Sequence, residues 1–188
     1  MRFSVEAPAA LVAAAAFVGS TVLAGLVPPN ARADNRRLND DVVANIFTAQ
    51  QQAGCPHDMK IKIDPKLRLA AQWQTDDVLN NRALDGDIGS DGSTVADRAR
   101  NAGYAGAVAE TVAINPALAI NNLDVLNLWY YRPDYKAIMT DCSNVDIGVW
   151  SANSFDRSVV VAVYGKGDGA PPVQAPPRQF GQVPGWTP

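Results

Sequence analysis

Apolar positions recur along this chain with two different periods, and the period sorts its segments into helices and strands. Over 38–53, Val42, Val43, Ile46, Phe47 and Gln50 fall on one side of a 3.6-residue helix. Gly54 ends that helix and Cys55-Pro56 opens a loop. Met59-Lys60-Ile61-Lys62-Ile63 alternates and reads as a short extended piece. Asp64-Pro65 then marks a helix start, a capping carboxylate followed by proline at the first helical position. Leu67, Ala70, Ala71, Gln74 and Val78 carry that helix forward at helical spacing.

A loop rich in Gly, Asp and Ser follows over 85–93. Thr94 caps a short helix running through Arg100, and Gly103 suits the left-handed position that stops it. Residues 108–114 are apolar and β-branched, which predicts a strand. Asn115-Pro116 repeats the cap-plus-proline start, with Ala119, Leu123, Leu126 and Tyr130 expected along one face of the helix it opens. Val-rich runs over 146–151 and 157–164 flank Ala152-Asn153-Ser154 and predict a hairpin. Helices between strands and a closing hairpin describe an α/β domain of the α+β kind, an antiparallel sheet covered by helices.

Both ends depart from this pattern. Residues 1–33 read as an export signal: Arg2, an apolar run over 7–27, and Ala31-Arg32-Ala33 as a cleavage pattern before Asp34. An uncleaved membrane anchor is the other reading, since about 20 apolar residues span a bilayer. The run is mostly Ala and Gly with no basic cluster at either end, which favours cleavage and leaves no stable membrane span afterwards. Leu26 stands where a lipoprotein signal would carry its acylated cysteine. Residues 166–188 contain Pro171-Pro172, Pro176-Pro177, Pro184 and Pro188, and read as a flexible, partly polyproline tail. The globular part is therefore placed at 38–165.

Composition supports a packed core: 47% of the 188 residues are apolar and 19% charged. The formal charge of -3, with no basic block, excludes a nucleic-acid partner. Two cysteines, Cys55 and Cys142, are expected to pair in an oxidising compartment, with two unpaired buried thiols as the alternative.

Several segments resemble one family, in that family's order. Gly89-Ser90-Asp91-Gly92-Ser93-Thr94, Asp97-Arg98 and Ala102-Gly103-Tyr104 resemble the bacterial, SCP-like branch of the CAP superfamily (cysteine-rich secretory, antigen 5, pathogenesis-related). Ala109-Glu110-Thr111-Val112-Ala113 is similar to its Gly-Glu-Asn strand. The segment from Trp129 through Pro133 and Tyr135 to Met139 is similar to its Trp-x-x-Ser-Pro-x-His segment, and Val145-Asp146-Ile147-Gly148-Val149 to its Ile-Gly-Val strand. Asp64-Pro65, with Leu67, Ala70 and Ala71, is similar to its second-helix start. The resemblance implies an α-β-α sandwich, a small antiparallel sheet between helices, and the signal pattern implies an exported or cell-envelope protein.

It also locates a cleft and shows what that cleft lacks. Family members with a complete site gather two histidines and acidic residues around a divalent metal, imidazole being a good ligand for zinc. Here Asp87 and Tyr135 stand at the two histidine positions, and Glu110 alone matches an acidic member. Asp97 is a second candidate acid. His57, the sole histidine, lies in the Cys55-Pro56-His57-Asp58 loop, apart from these segments, and reads as an exposed loop residue. No residue is assigned as catalytic, no metal ligand is assigned, and no cofactor is expected beyond weak binding of a hard cation at Asp87 and Glu110.

Two readings of Asp87, Glu110 and Tyr135 stand. In one they form an open cleft able to attract a cation; in the other, which is preferred, the cleft survives only as architecture. Trp129 and Tyr130 are expected in the core, and Tyr131 with Tyr135 on an exposed edge. Arg98 and Arg100 are expected to meet Asp97 or solvent. The function expected is a non-enzymatic binding module for a small molecule, lipid or envelope protein. The alternatives are hydrolase-like or cation-dependent chemistry at Asp87 and Glu110, or docking through the Pro-rich tail.

Overall fold

A computed structural model describes residues 29–169, with side chains from Asn35 onward. Five helices and four strands follow in the order α1 (Pro29–Gln52), β1 (Lys62–Ile63), α2 (Pro65–Asn80), α3 (Val95–Asn101), β2 (Val108–Asn115), α4 (Asn122–Tyr130), α5 (Pro133–Met139), β3 (Asp146–Asn153) and β4 (Ser158–Gly165). The strands form one sheet in the order β1-β3-β4-β2. The hairpin β3–β4 and the pair β2–β4 are antiparallel, whereas β1 joins β3 in parallel through only two residue pairs. The sheet is therefore mixed, and not wholly antiparallel as the sequence suggested.

Three layers result. Ile147, Val149, Val160, Ala162 and Tyr164 face α1, α4 and α5, meeting Val42, Ile46, Val125, Trp129 and Met139. On the other face Val159, Val161 and Val163 meet Leu67, Ala70, Ala71 and Val78 of α2 and Ala99 of α3. β4 is the central strand, buried at every position. A strand covered on both faces has no use for alternation, hence its unbroken Val-rich run. This is an α-β-α sandwich.

Local chemistry explains most element boundaries. Asp64 accepts from the Lys66 and Leu67 amides at 2.8 and 3.4 Å, with Pro65 at the first helical position of α2. Thr94 and Asp97 form a reciprocal capping box at α3, and Gly103 takes a φ of 90° just past its end. α2 lies almost in contact with β3, because Gly148 presents no side chain to Leu67 and Arg68. Cys55 and Cys142 are bonded, with Cα atoms 5.4 Å apart. Beside them Gln50, fully buried, donates to the Asp141 and Asn144 carbonyls at 3.1 and 3.2 Å.

Elsewhere the structure departs from the expected boundaries. α1 begins at Pro29, well before residue 38, and its backbone runs through Ala31-Arg32-Ala33; the apolar run itself lies outside the described residues. The extended piece at 59–63 is a strand only over Lys62–Ile63. Asn115-Pro116 opens no helix: Asn115 stays in the β2 ladder opposite Ser158, and its side chain donates to the Ala119 carbonyl at 3.0 Å. α4 starts instead where Asn121 accepts from the Asp124 amide at 3.0 Å.

Its buried seam is Val125 and Trp129, while Leu123 and Tyr130 face outward. Pro133 opens a separate helix at that point, so one helical phase cannot run through both segments. Tyr131 is exposed as expected, but Tyr135 is buried. At the C-terminal end the ordered domain passes Gly165: the Lys166 amide donates to the Ala107 carbonyl at 3.0 Å and the Gly167 amide to the Tyr104 hydroxyl at 3.0 Å. Asp168 accepts from the Ala105 amide at 2.9 Å and pairs with Lys66. The prolines of the tail lie outside the described residues.

Candidate functional site

Asp87, Glu110 and Tyr135 line one cavity of about 490 Å³, together with Arg132, Asp134 and Val108. Three elements converge to make it. β2 sits at the edge of the sheet and presents Glu110 toward the α3 layer, opposite Val163 of β4. The 85–93 loop brings Asp87 over it, and α5 supplies Tyr135 from the other side.

The centre of the site is an ion pair that sequence reasoning did not anticipate. One guanidinium nitrogen of Arg98 donates to both Glu110 oxygens, at 3.0 and 3.1 Å. The two side chains are 5% and 0% exposed. The same nitrogen donates to the Asp87 carbonyl at 2.8 Å, and its neighbour to the Ser93 carbonyl at 2.9 Å. Arg98 is thus both the counter-ion of Glu110 and the pin that holds the 85–93 loop to the domain. The pairing joins a helix to a strand twelve positions away, so no local period signals it. The sequence signal is the place of Arg98 in the Asp97-Arg98 segment, which carries part of the family resemblance.

Burial pushes the Glu110 carboxyl up, to about 8; Arg98 pulls it down and the negative charge of Asp87 pushes it further up. Burial likewise raises the Tyr135 phenol, against the pull of Arg132, whose guanidinium carbon stands 3.6 Å from the ring centre. Tyr135 therefore stays neutral and acts as a packed wall. Arg132 pairs with Asp134 at 2.7 Å and holds that carboxyl below its usual range. Asp87 itself is exposed at the rim.

The other candidates lie elsewhere. Asp97 belongs to the α3 capping box and pairs with Arg100 at 3.1 Å, outside the cavity. His57 is exposed, with Nδ1 2.9 Å from the Gln51 side-chain oxygen. Among the described residues, no three His, Cys, Asp or Glu side chains cluster as a metal cage requires.

A second cavity, of about 630 Å³, adjoins the first and shares Val108, Ala109 and Ile138 with it. Its walls are largely small residues of the 104–109 segment and α5, with Arg100 and Lys166 at its rim. The two form one groove between α3 and α5 along the outer edge of β2. That edge is open at its start. Ala107 accepts from Lys166, so odd-numbered residues pair with β4, and Val108 and Glu110 turn their backbone groups outward.

An α-β-α sandwich with this element order and this cleft at the edge strand is the CAP-type fold. No protein-family model matches the sequence, and no curated protein matches it either. Solved structures do match. An outer surface protein of Borrelia burgdorferi superposes with a TM-score of 0.60 at 18% identity, covering 71% of this chain and 95% of that one. An extracellular SCP-domain protein of Bacillus anthracis superposes with a TM-score of 0.61 at 12% identity, covering 76% of this chain and 45% of that one. A cysteine-rich secretory protein of Staphylococcus aureus gives 0.51 at 9% identity, covering 71% and 39%. The chain thus spans less than half of the last two proteins. Among the described residues no helix is long and apolar enough to cross a membrane.

Proposed function

We propose that this chain is an exported, non-enzymatic binding module that holds a small molecule or lipid in the groove between α3 and α5. One observation carries the reading: the only buried carboxylate of the cleft, Glu110, turns both oxygens to Arg98 and has no exposed side-chain surface. Without exposed surface, and with Arg98 on both oxygens, it presents no accessible carboxylate to a substrate or cation. Tyr135, buried and neutral, is no better placed as a base. What remains is shape: a cavity of about 630 Å³ with largely apolar walls adjoining a polar one of about 490 Å³, the make-up of a site that buries an apolar body and orients a polar end. Export is supported by the N-terminal signal pattern and by a disulfide of the kind that persists in oxidising compartments.

One observation favours an acid–base reading instead, namely the raised Glu110 carboxyl beside Asp87, a pattern common at active sites. A single experiment separates the two. Binding of a fluorescent fatty acid is measured by titration, alongside turnover of a chromogenic short-chain ester. Ala137→Trp, at an exposed position lining the larger cavity, should weaken binding by roughly tenfold, a loss of 1.4 kcal/mol. Glu110→Gln should leave binding nearly unchanged. Ester turnover abolished by Glu110→Gln would overturn the binding reading, as would fatty-acid affinity indifferent to Ala137→Trp.

A further inference from the structure

A third cavity lies on the opposite side of the sheet, and the brevity of β1 creates it. β1 pairs only with Asp146 and Ile147, so the outer edge of β3 is uncovered beyond that point. α1 and α2 flank the gap and leave about 370 Å³ lined by Asn35, Arg36, Asn39, Arg68, Trp150 and Ser151. This cavity shares no residue with the groove along β2.

Its chemistry is cationic and unsatisfied, in a protein of net negative charge. Arg82, Arg98, Arg100 and Arg132 each have a carboxylate partner. Among the described residues, Arg36, Arg37, Arg68 and Arg157 have none, and of these Arg36 and Arg68 line this cavity. Asp64, one turn before Arg68, is engaged as the α2 cap and by Lys62 at 3.6 Å. The Arg68 guanidinium lies over the Trp150 ring, 5.3 Å from its centre, which holds the fork in place before any ligand arrives. Its Nε is buried without a hydrogen-bond partner.

Asn39, only 5% exposed, has a side-chain carbonyl oxygen that is also buried and unpartnered. An atom without accessible surface does not face the cavity, so the anion-binding groups there are the two guanidinium groups. Two guanidinium groups without a carboxylate partner, one of them stacked on an aromatic ring, around a single cavity mark a place for an anion. Asn35 is used differently: it exchanges hydrogen bonds with Ser151, its amide nitrogen donating to the Ser151 carbonyl at 3.4 Å, and so ties α1 to β3 at the cavity floor.

We infer that this cavity is an oxyanion site, in which Arg68 and Arg36 hold a carboxylate or phosphate group beside the Trp150 ring, with Asn39 in its wall. A guanidinium fork matches either anion, and a fork already stacked on an aromatic ring loses little freedom on binding. The aromatic face and the small volume favour a compact anionic group over an extended chain.

The test is NMR of the purified protein titrated with inorganic phosphate, and separately with acetate, at constant ionic strength set by chloride. The Trp150 indole N–H and the Asn39 side-chain amide should shift saturably with at least one anion in the millimolar range. Arg68→Gln should weaken that binding by roughly tenfold. Arg36→Gln, at an exposed helical position where folding is not at issue, should weaken it by a smaller factor. Lys60→Gln, a surface change elsewhere, should leave it unaltered. Saturation by acetate alone identifies a carboxylate site, and saturation by phosphate alone a phosphate site. Shifts that never saturate with either anion, or an affinity unmoved by both arginine variants, would overturn the inference.

Discussion

Arg98 shows how one side chain can serve both the electrostatics and the architecture of a site. Its guanidinium supplies the positive charge that Glu110 requires, and it anchors the 85–93 loop through the Asp87 and Ser93 carbonyls. Arg98→Ala removes all of these donors at once, and should cost about 3 kcal/mol in denaturant unfolding. It also removes the main influence holding the Glu110 carboxyl down, so the midpoint followed by carbon NMR should rise beyond its value of about 8. The pH dependence of stability follows in sign. The folded carboxyl retains its proton at pH values where the unfolded one, near 4.5, has lost it. The contribution of Glu110 is therefore full below pH 4.5 and falls as pH rises toward 8. Glu110→Gln should abolish that slope, and a slope unchanged in the variant would show that other groups produce it.

At the scale of elements, the tightest contact is the seating of α2 on β3. A methyl group at Gly148 would stand 2.1 Å from the Arg68 amide nitrogen and 2.2 Å from the Leu67 carbonyl carbon. Both are backbone atoms that no rotamer change can move. Gly148→Ala should push the helix off the sheet and destabilise by about 3 kcal/mol. Gly86→Ala, where a methyl group meets nothing within 4 Å, should be close to neutral in the same thermal melts.

The elements also show what could be read from sequence. Asp64-Pro65, Thr94 and Gly103 each act through neighbours a few residues away, and their effects on helix ends appear where local chemistry places them. The Val-rich hairpin is legible for the same reason. Asn115-Pro116 misled because an identical local pattern was overridden by the strand ladder opposite Ser158. Tyr130 and Tyr135 exchanged their expected environments because Pro133 resets the helical phase between them. At the site, the three residues placed by family resemblance do share a cavity. The pairing of Arg98 with Glu110 depends on how a helix packs over an edge strand, and spacing along the chain carries no trace of that.

Across the whole molecule, the disulfide joins the loop after α1 to the loop after α5, closing a sequence separation of 87 residues. Loop-closure entropy assigns about 4 to 5 kcal/mol to a cross-link of that span. The double variant Cys55→Ser, Cys142→Ser should lower the melting temperature by roughly 10 °C or more. A loss of only a degree or two would mean that the reduced, unfolded chain already holds these loops together, as the buried Gln50 contacts nearby could do.

The path of the chain out of the fold gives the domain a mechanical polarity. β4 is bonded on both sides along its length, and residues 166–168 are fastened to Tyr104, Ala105, Ala107 and Lys66 immediately after it. Force applied at the C-terminal end must first strip that clasp, and then load two ladders in shear, where hydrogen bonds resist together. Force applied at the N-terminal end reaches α1, an outer-layer helix held by side-chain packing, the Asn35 and Gln50 hydrogen bonds and the Cys55 bond, with no backbone ladder of its own. A domain of this construction bears tension best when it hangs from its C-terminal side.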